Sequence, residues 1–207
     1  MIMVQPLTHL KESPSQTAGP YVHIGCTPNF ADIAGVYPED LGQKMILGDV
    51  KGQRIRITGH VIDGTGTPLR DALVEIWQPD AAGLFNAPSE TRGAADPNFT
   101  GFGRCPSDMT TGAFAFDTVK PGAVPFVDGR MQAPHVTFWI VARGINLGLH
   151  TRMYFPDEAD ANVADPILTR IEHQTRVKTL IAEAQGDGQY HFDIRLQGHN
   201  ETVFFDI

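Results

Sequence analysis

Two stretches far apart in the chain alternate apolar and polar side chains with a period of two. From Arg54 the sequence runs Arg-Ile-Arg-Ile-Thr-Gly-His-Val-Ile-Asp, with Ile55 and Ile57 set between charges. From Tyr190 to Leu196, Tyr190, Phe192, Ile194 and Leu196 fall on one side, and His191, Asp193 and Arg195 on the other. Successive side chains of a strand point to opposite faces, so this period marks half-buried strands rather than helices. The segments between them read the same way. Ala72 to Gln78, with Val74, Ile76 and Trp77, is a second strand after the turn Gly64-Thr-Gly66-Thr-Pro68. Gly112 opens a strand over Ala113 to Val119, and Lys120-Pro121-Gly122 stops it. Val136 to Ala142 is a continuous apolar run, expected to be central, and His150 to Phe155 is another strand ended by Pro156.

The remaining stretches read as connections. Residues 1–50 are rich in proline and glycine and show little periodicity, which fits an extended arm and loops. Asp80 to Gly103 is a long polar stretch, either a functional loop or several short turns. The acidic run Asp157 to Asp165 is expected to form a helix with a solvated face. Asp165 followed by Pro166 fits the cap and first turn of a further short helix. Glu201 to Ile207 reads as a last β-like piece. Many short strands, turn signals between them and little helix predict an all-β fold: an antiparallel β-sandwich with an extended N-terminal arm, long loops and one or two short helices. The expected division is an arm over 1–50 that packs on a partner and a sandwich domain over 51–207.

Composition removes several classes of function. Lys and Arg number 16 against 24 Asp and Glu, a formal charge of −8, and no basic stripe is present, so nucleic-acid binding is not expected. No apolar run approaches the ~20 residues of a membrane span. Met1 to Lys11 lacks the basic start and apolar stretch of a secretion signal, which predicts a cytoplasmic protein. Cys26 and Cys105, the two cysteines, are too few for a disulfide framework or a thiolate metal site and are expected to be buried thiols.

Motifs for phosphate cradling, zinc hydrolysis and serine nucleophiles are missing. None of the eight histidines pairs with another at the i, i+2 spacing that puts two ligands on one strand face. His135 heads a strong strand, but position 137 is Thr137. A lone strand histidine is more often a hydrogen-bonded structural residue than a ligand. His150 and Arg152 share a strand face and read as structural or interfacial.

Several segments, in order along almost the whole chain, resemble the intradiol ring-cleaving dioxygenases. They include Thr17-Ala18-Gly19-Pro20-Tyr21, Leu73-Val-Glu75-Ile-Trp77-Gln78, Asp96-Pro-Asn-Phe99 and Phe116-Asp-Thr118-Val-Lys120-Pro121-Gly122. Gln5 to Gly25, Ala142-Arg143-Gly-Ile-Asn146, Leu149-His-Thr-Arg-Met-Tyr-Phe155 and Gly198-His-Asn-Glu-Thr-Val-Phe-Phe205 are similar to the α chains of the family's two-chain members that cleave protocatechuate. The resemblance implies a hetero-oligomer of α–β pairs in which a homologous β chain holds Fe(III). It implies insertion of both atoms of O2 into protocatechuate, giving 3-carboxy-cis,cis-muconate in aromatic catabolism through β-ketoadipate.

Catalytic chains of the family ligate iron with two tyrosines and a His-x-His pair. Laid on this sequence, those positions fall on Phe85, Val124, His135 and Thr137, and an arginine near the iron falls on Gln132. Phe85 and Val124 offer no oxygen, and a threonine hydroxyl is a poor ligand beside phenolate and imidazole. The resemblance therefore implies no catalytic residue and no metal in this chain. It implies a pocket-lining role for Thr17, Gly19, Pro20, Tyr21 and Arg143, where a fixed cation would suit the carboxylate of protocatechuate. Read without it, Tyr21 belongs to a docking arm and Arg143 to a surface ion pair. Two rivals remain: a non-catalytic β-sandwich binding or carrier protein, and a self-sufficient iron enzyme drawing phenolates from Tyr21, Tyr37, Tyr154 and Tyr190.

Overall fold

The computed structural model describes residues 16–146 and 148–206. Residues 1–15 of the expected arm, and the start of the Gln5 to Gly25 resemblance, lie outside them, as do Leu147 and the terminal Ile207. Among the described residues there are eleven strands: β1 Arg54–Ile62, β2 Leu73–Trp77, β3 Phe102–Pro106, β4 Ala113–Val119, β5 Val124–Pro125, β6 Met131–Gln132, β7 His135–Val141, β8 Leu149–Tyr154, β9 Glu183–Gly186, β10 Gln189–His191 and β11 Ile194–Arg195. Two α-helices, α1 Pro20–Cys26 and α2 Ala159–Ala164, and three 3-10 turns complete the regular structure.

One sheet runs β11-β1-β10-β9, with β4 also paired to β1; the other runs β3-β2-β7-β8. The alternation in β1 and β10–β11 is what packs them together. Ile55, Ile57 and Val61 from β1 meet Val74 and Ile76 from β2 and Val136, Phe138 and Ile140 from β7 in one core. Phe138 is its hub, with its ring 6.0 Å from Phe114, 6.4 Å from Phe116 and 5.4 Å from Phe192. Such aromatic clusters contribute through area and through tilted ring contacts. The core starts before β1, because Met45 and Val50 are buried in it. A smaller cluster of Ala133, Tyr154, Leu168, Leu180 and Val203 lies beyond the end of β8.

The sandwich differs from expectation in particulars. The first sheet is mixed: β1 pairs antiparallel with β4 but parallel with β10 and β11. Strand β3 begins at the end of the stretch read as loop and runs beyond it, unseen because Gly103, Arg104 and Pro106 break its apolar alternation. Its Gly103 abuts Met45, Ile76 and Phe116, leaving no room for a side chain. The segment read as an extended arm contains α1, started by Pro20 with its preset φ after the extended Gly19. Residues 201–206 form no strand; only Phe205 bridges to His150. The acids of 157–165 are a solvated face only in part: Asp157 and Asp160 are exposed. Asp157 and Glu158 each bind Lys120 at 2.6 Å, and Asp165 is fully buried. As the sequence suggested, Asp165 accepts hydrogen bonds from Ile167 N at 2.7 Å and Leu168 N at 2.9 Å. Both cysteines are half-buried rather than buried.

The long connection between β2 and β3 is a set of pinned turns. Asp80 accepts from Ala82 N and Leu84 N with one oxygen and from Asp96 N with the other. Gly83, at φ +78°, passes so close to Ala123 O that an added Cβ would lie 2.3 Å from it.

Candidate functional site

On β7, Val136, Phe138 and Ile140 face the core, so His135, Thr137 and Trp139 face the other side of the sheet. Register then assembles the four positions at which the sequence resemblance places lost ligands. Thr137 lies between Trp77 of β2 and Arg152 of β8, and His135 lies beside Tyr154. Phe85 stacks on Trp77, with centroids 6.0 Å apart. Val124 pairs with Gln132, whose Oε1 accepts from Arg152 Nη1 at 2.8 Å.

The donors at these positions do not fit a ferric ion. Val124 is buried and apolar, and Phe85 gives only a ring face. His135 is buried with Nδ1 against Ala133 O at 2.8 Å, and its ring packs 5.5 Å from that of Tyr154. Burial, aided by the Arg152 guanidinium, pulls the His135 imidazole down to about 4. The guanidinium sets a fixed positive charge where the four positions converge, which opposes a further cation.

Tyr154, Tyr190 and Tyr21 do not restore the set, and Tyr37 is exposed. Tyr154 donates to Asp165 Oδ1 at 3.5 Å and accepts from Arg152 at 3.4 Å. Burial drives its phenol well above the usual range, away from the phenolate that iron needs. Tyr190 donates to Asp157 at 3.2 Å, and Tyr21 is 85% exposed. This closed network accounts for His135 as a hydrogen-bonded residue and for Arg152 as structural.

The other end of the same sheet is open. Past β7, Ala142-Arg143-Gly144 turns with Gly144 at φ +89°. Thr17 pins the arm to that turn: its hydroxyl oxygen accepts from Gly144 N at 2.8 Å and lies 3.5 Å from Ala142 O. The end of α1 is held by Arg104, which reaches Cys26 O at 3.3 Å while forming an ion pair with Glu75 at 2.6 Å. Between arm and turn lies a cavity of about 470 Å³ whose wall includes Gly19, Pro20, His23, Phe30, Asp71 and Arg143. Arg143 Nε is 3.2 Å from Asp71 Oδ2, yet its side chain is 80% exposed.

Gly19, Pro20 and Arg143 thus share one wall, Thr17 holds the arm against it, and Tyr21 projects into solvent beside it. The sequence reading missed Asp71 and His23 here; nothing in their neighbourhoods marks them. Tyr21, Ile24, Phe30, Val36, Leu41 and Leu47 are all exposed in this short stretch.

No helix among the described residues is long and apolar enough to cross a membrane.

Comparison with known proteins gives a consistent result. The Dioxygenase family model matches residues 26–198. The chain is 43% identical over 207 residues to a protocatechuate 3,4-dioxygenase alpha chain of Pseudomonas putida, covering 98% of this chain and 100% of that one. It is 34% identical over 183 residues to a protocatechuate 3,4-dioxygenase beta chain of Burkholderia cepacia, covering 83% and 77%. Among solved structures, an intradiol ring-cleavage dioxygenase from Tetranychus urticae superposes with a TM-score of 0.54 at 22% identity, over 78% of this chain and 89% of that one.

Proposed function

This chain belongs to the intradiol dioxygenase family, and from that premise we propose that it works as the iron-free α chain of a protocatechuate 3,4-dioxygenase. It is a subunit of an oxidoreductase. The iron belongs to a homologous β chain, and this chain supplies one wall of that chain's pocket. The reaction is O2-dependent cleavage of protocatechuate to 3-carboxy-cis,cis-muconate, carried out in the cytoplasm. Bound to the partner, ferric iron supplies activation of the catecholate; such chemistry belongs to the metal, and the protein orients and shields.

One contrast carries this reading. The positions where a catalytic chain of the family would ligate iron hold Phe85, Val124 and Thr137 beside a histidine already engaged at Ala133 O. The arm and Arg143 meanwhile line an open cavity next to exposed apolar side chains. A chain that cannot hold the metal but presents an unfinished pocket wall suits a complementing subunit. In this reading the arm within 1–50 docks on the β chain, the sandwich over 51–207 carries the wall, and Thr17, Gly19, Pro20, Tyr21 and Arg143 contribute to it. Gly19 allows close backbone approach. Pro20 limits the order lost on assembly. Arg143 offers a guanidinium to the substrate carboxylate.

The test is co-expression with a β chain that carries two tyrosines and a His-x-His pair. The complex should hold one iron per pair and consume oxygen with protocatechuate. The α chain purified alone should be colourless, because ferric–phenolate absorption needs tyrosines it lacks at Phe85 and Val124. A red-brown lone chain with stoichiometric iron, or a chain that fails to associate with any such partner, would refute the proposal.

A further inference from the structure

We propose that His60, His191 and Asp193 form a site for a divalent transition ion of the zinc class on the outer face of the first sheet. His60 comes from β1, His191 ends β10, and Asp193 lies in the link between β10 and β11. On β1, Thr58 and His60 point outward, since Ile57 and Val61 are in the core. His191 of β10 lies beside Thr58 in parallel register. Asp193 is two residues further on and so shares its face. The chain steps inward at Phe192, whose N–H donates to Thr58 O at 2.8 Å. Gly59 makes that approach possible, because a Cβ there would stand 1.9 Å from Phe192 O. The step brings Asp193 to His60, whose own N–H donates to Asp193 Oδ1 at 3.0 Å.

The geometry that results is that of a ligand set. His60 Nδ1 lies 3.1 Å and His191 Nε2 3.0 Å from Asp193 Oδ1, and the three donor atoms all fall within 4.8 Å of one another. An ion at ~2.0–2.1 Å from each donor sets neighbouring ligand atoms about 3.3 Å apart, close to the 3.1 and 3.0 Å found here. Two imidazoles and one carboxylate select a borderline ion over calcium or magnesium, which prefer all-oxygen sets. The ligands are also oriented from behind. His191 Nδ1 is 3.3 Å from Thr58 Oγ1, leaving Nε2 to face the carboxylate, and Asp193 is held by the His60 backbone. Without an ion, both imidazoles must present N–H to the same carboxylate oxygen. His191 and Asp193 also line a polar cleft of about 500 Å³ that includes Glu183 and Asn200, so open positions on the ion face water or an added ligand. Occupied, the site would tie β1 to the strands at the C-terminal end.

The experiment uses the full chain, alone and paired with its β chain, after chelator treatment and dialysis. Zinc chloride is titrated by calorimetry, with zinc and iron counted separately by mass spectrometry. The expected result is one zinc per chain, a melting temperature that rises as zinc is added, and loss of both in His191→Ala. Thr58→Val keeps all three ligands and should weaken binding about ten- to hundredfold. Should His191→Ala lose its far-ultraviolet circular dichroism, cobalt(II) added to wild type gives a second readout through its visible ligand-field bands. No saturable zinc uptake by the folded wild type, equal uptake by folded His191→Ala, or the absence of a cobalt spectrum would each overturn the proposal and leave a hydrogen-bonded His-Asp-His cluster.

Discussion

The two ends of β7 have opposite characters. At its start, His135 is buried, its neighbours Gln132, Arg152, Tyr154 and Asp165 satisfy one another, and the small cluster of Leu168, Leu180 and Val203 packs beside them. At its far end, Arg143 is 80% exposed, Tyr21 is 85% exposed, and the arm is fixed to the turn chiefly through one hydroxyl. The closed end is finished by this chain alone. On the proposed reading this first region is where a catalytic chain would hold iron, and here hydrogen bonds and packing fill it. Most buried polar groups keep a hydrogen-bond partner, and His135, Arg152, Tyr154 and Asp165 each have one here. At the open end the exposed Arg143 and Tyr21 are met by water.

If the closed end is built this way, removing its central acceptor should have the largest effect of any change proposed for these two regions. Asp165 is fully buried and accepts from Ala133 N at 2.8 Å as well as from Ile167 N, Leu168 N and the Tyr154 hydroxyl. Asp165→Ala leaves those donors unpaired in a dry site. At about 1–3 kcal/mol for each unsatisfied group, with partial relaxation, the loss should be roughly 3–5 kcal/mol. Urea unfolding of the chain measures it, and a loss under about 1 kcal/mol would mean that water reaches this end and the contrast fails.

A smaller effect comes from His135 and is read in pH. Unfolded, a histidine takes up a proton near 6.5; folded, His135 does so only at about 4. Between those values the unfolded state binds more protons, so stability should fall as pH drops from about 6.5 to about 4 and level off outside that window. The total is about 3 kcal/mol. Carboxylates held low, such as Glu90 at about 2 beside Arg92, act at lower pH because their unfolded range starts near 4.3. Unfolding curves at several pH values for wild type and His135→Gln isolate the histidine. The same slope in both would show that the imidazole is not sealed.

How much of this the sequence disclosed depends on the range of the interactions. β1, β2, β4, β7 and β8 were legible because alternation and Gly/Pro stops are local. β3 was not, since its Gly103 is required by a neighbour across the core rather than by its own segment. The helix at Pro20 was hidden by the proline and glycine content of the arm, although proline in a first turn favours helix entry. The lost ligand positions came from resemblance alone. Their convergence needed the register of three strands, and Asp165 gave only its capping role, not its hydrogen bond to Ala133. His60, His191 and Asp193 show the same limit: a search for histidines two apart on one strand cannot find ligands that meet across parallel strands.

The smallest effect belongs to the open end, and it should leave stability untouched while changing activity. The Arg143–Asp71 pair is so exposed that solvent screens it, and such pairs contribute little to folding. Arg143→Ala should therefore shift the unfolding free energy by no more than about 0.5 kcal/mol and leave iron content as it was. In the assembled enzyme, a hydrogen bond from a guanidinium to the substrate carboxylate would contribute roughly 1.5–3 kcal/mol. Its removal then lowers kcat/KM for protocatechuate by about tenfold to hundredfold. Catechol has no carboxylate and should lose much less. The pair of substrates decides the role. Equal losses would make Arg143 a support for the pocket's shape through Asp71. No loss with either would return it to a surface ion pair, and the open end would then be a docking face without a part in reading substrate charge.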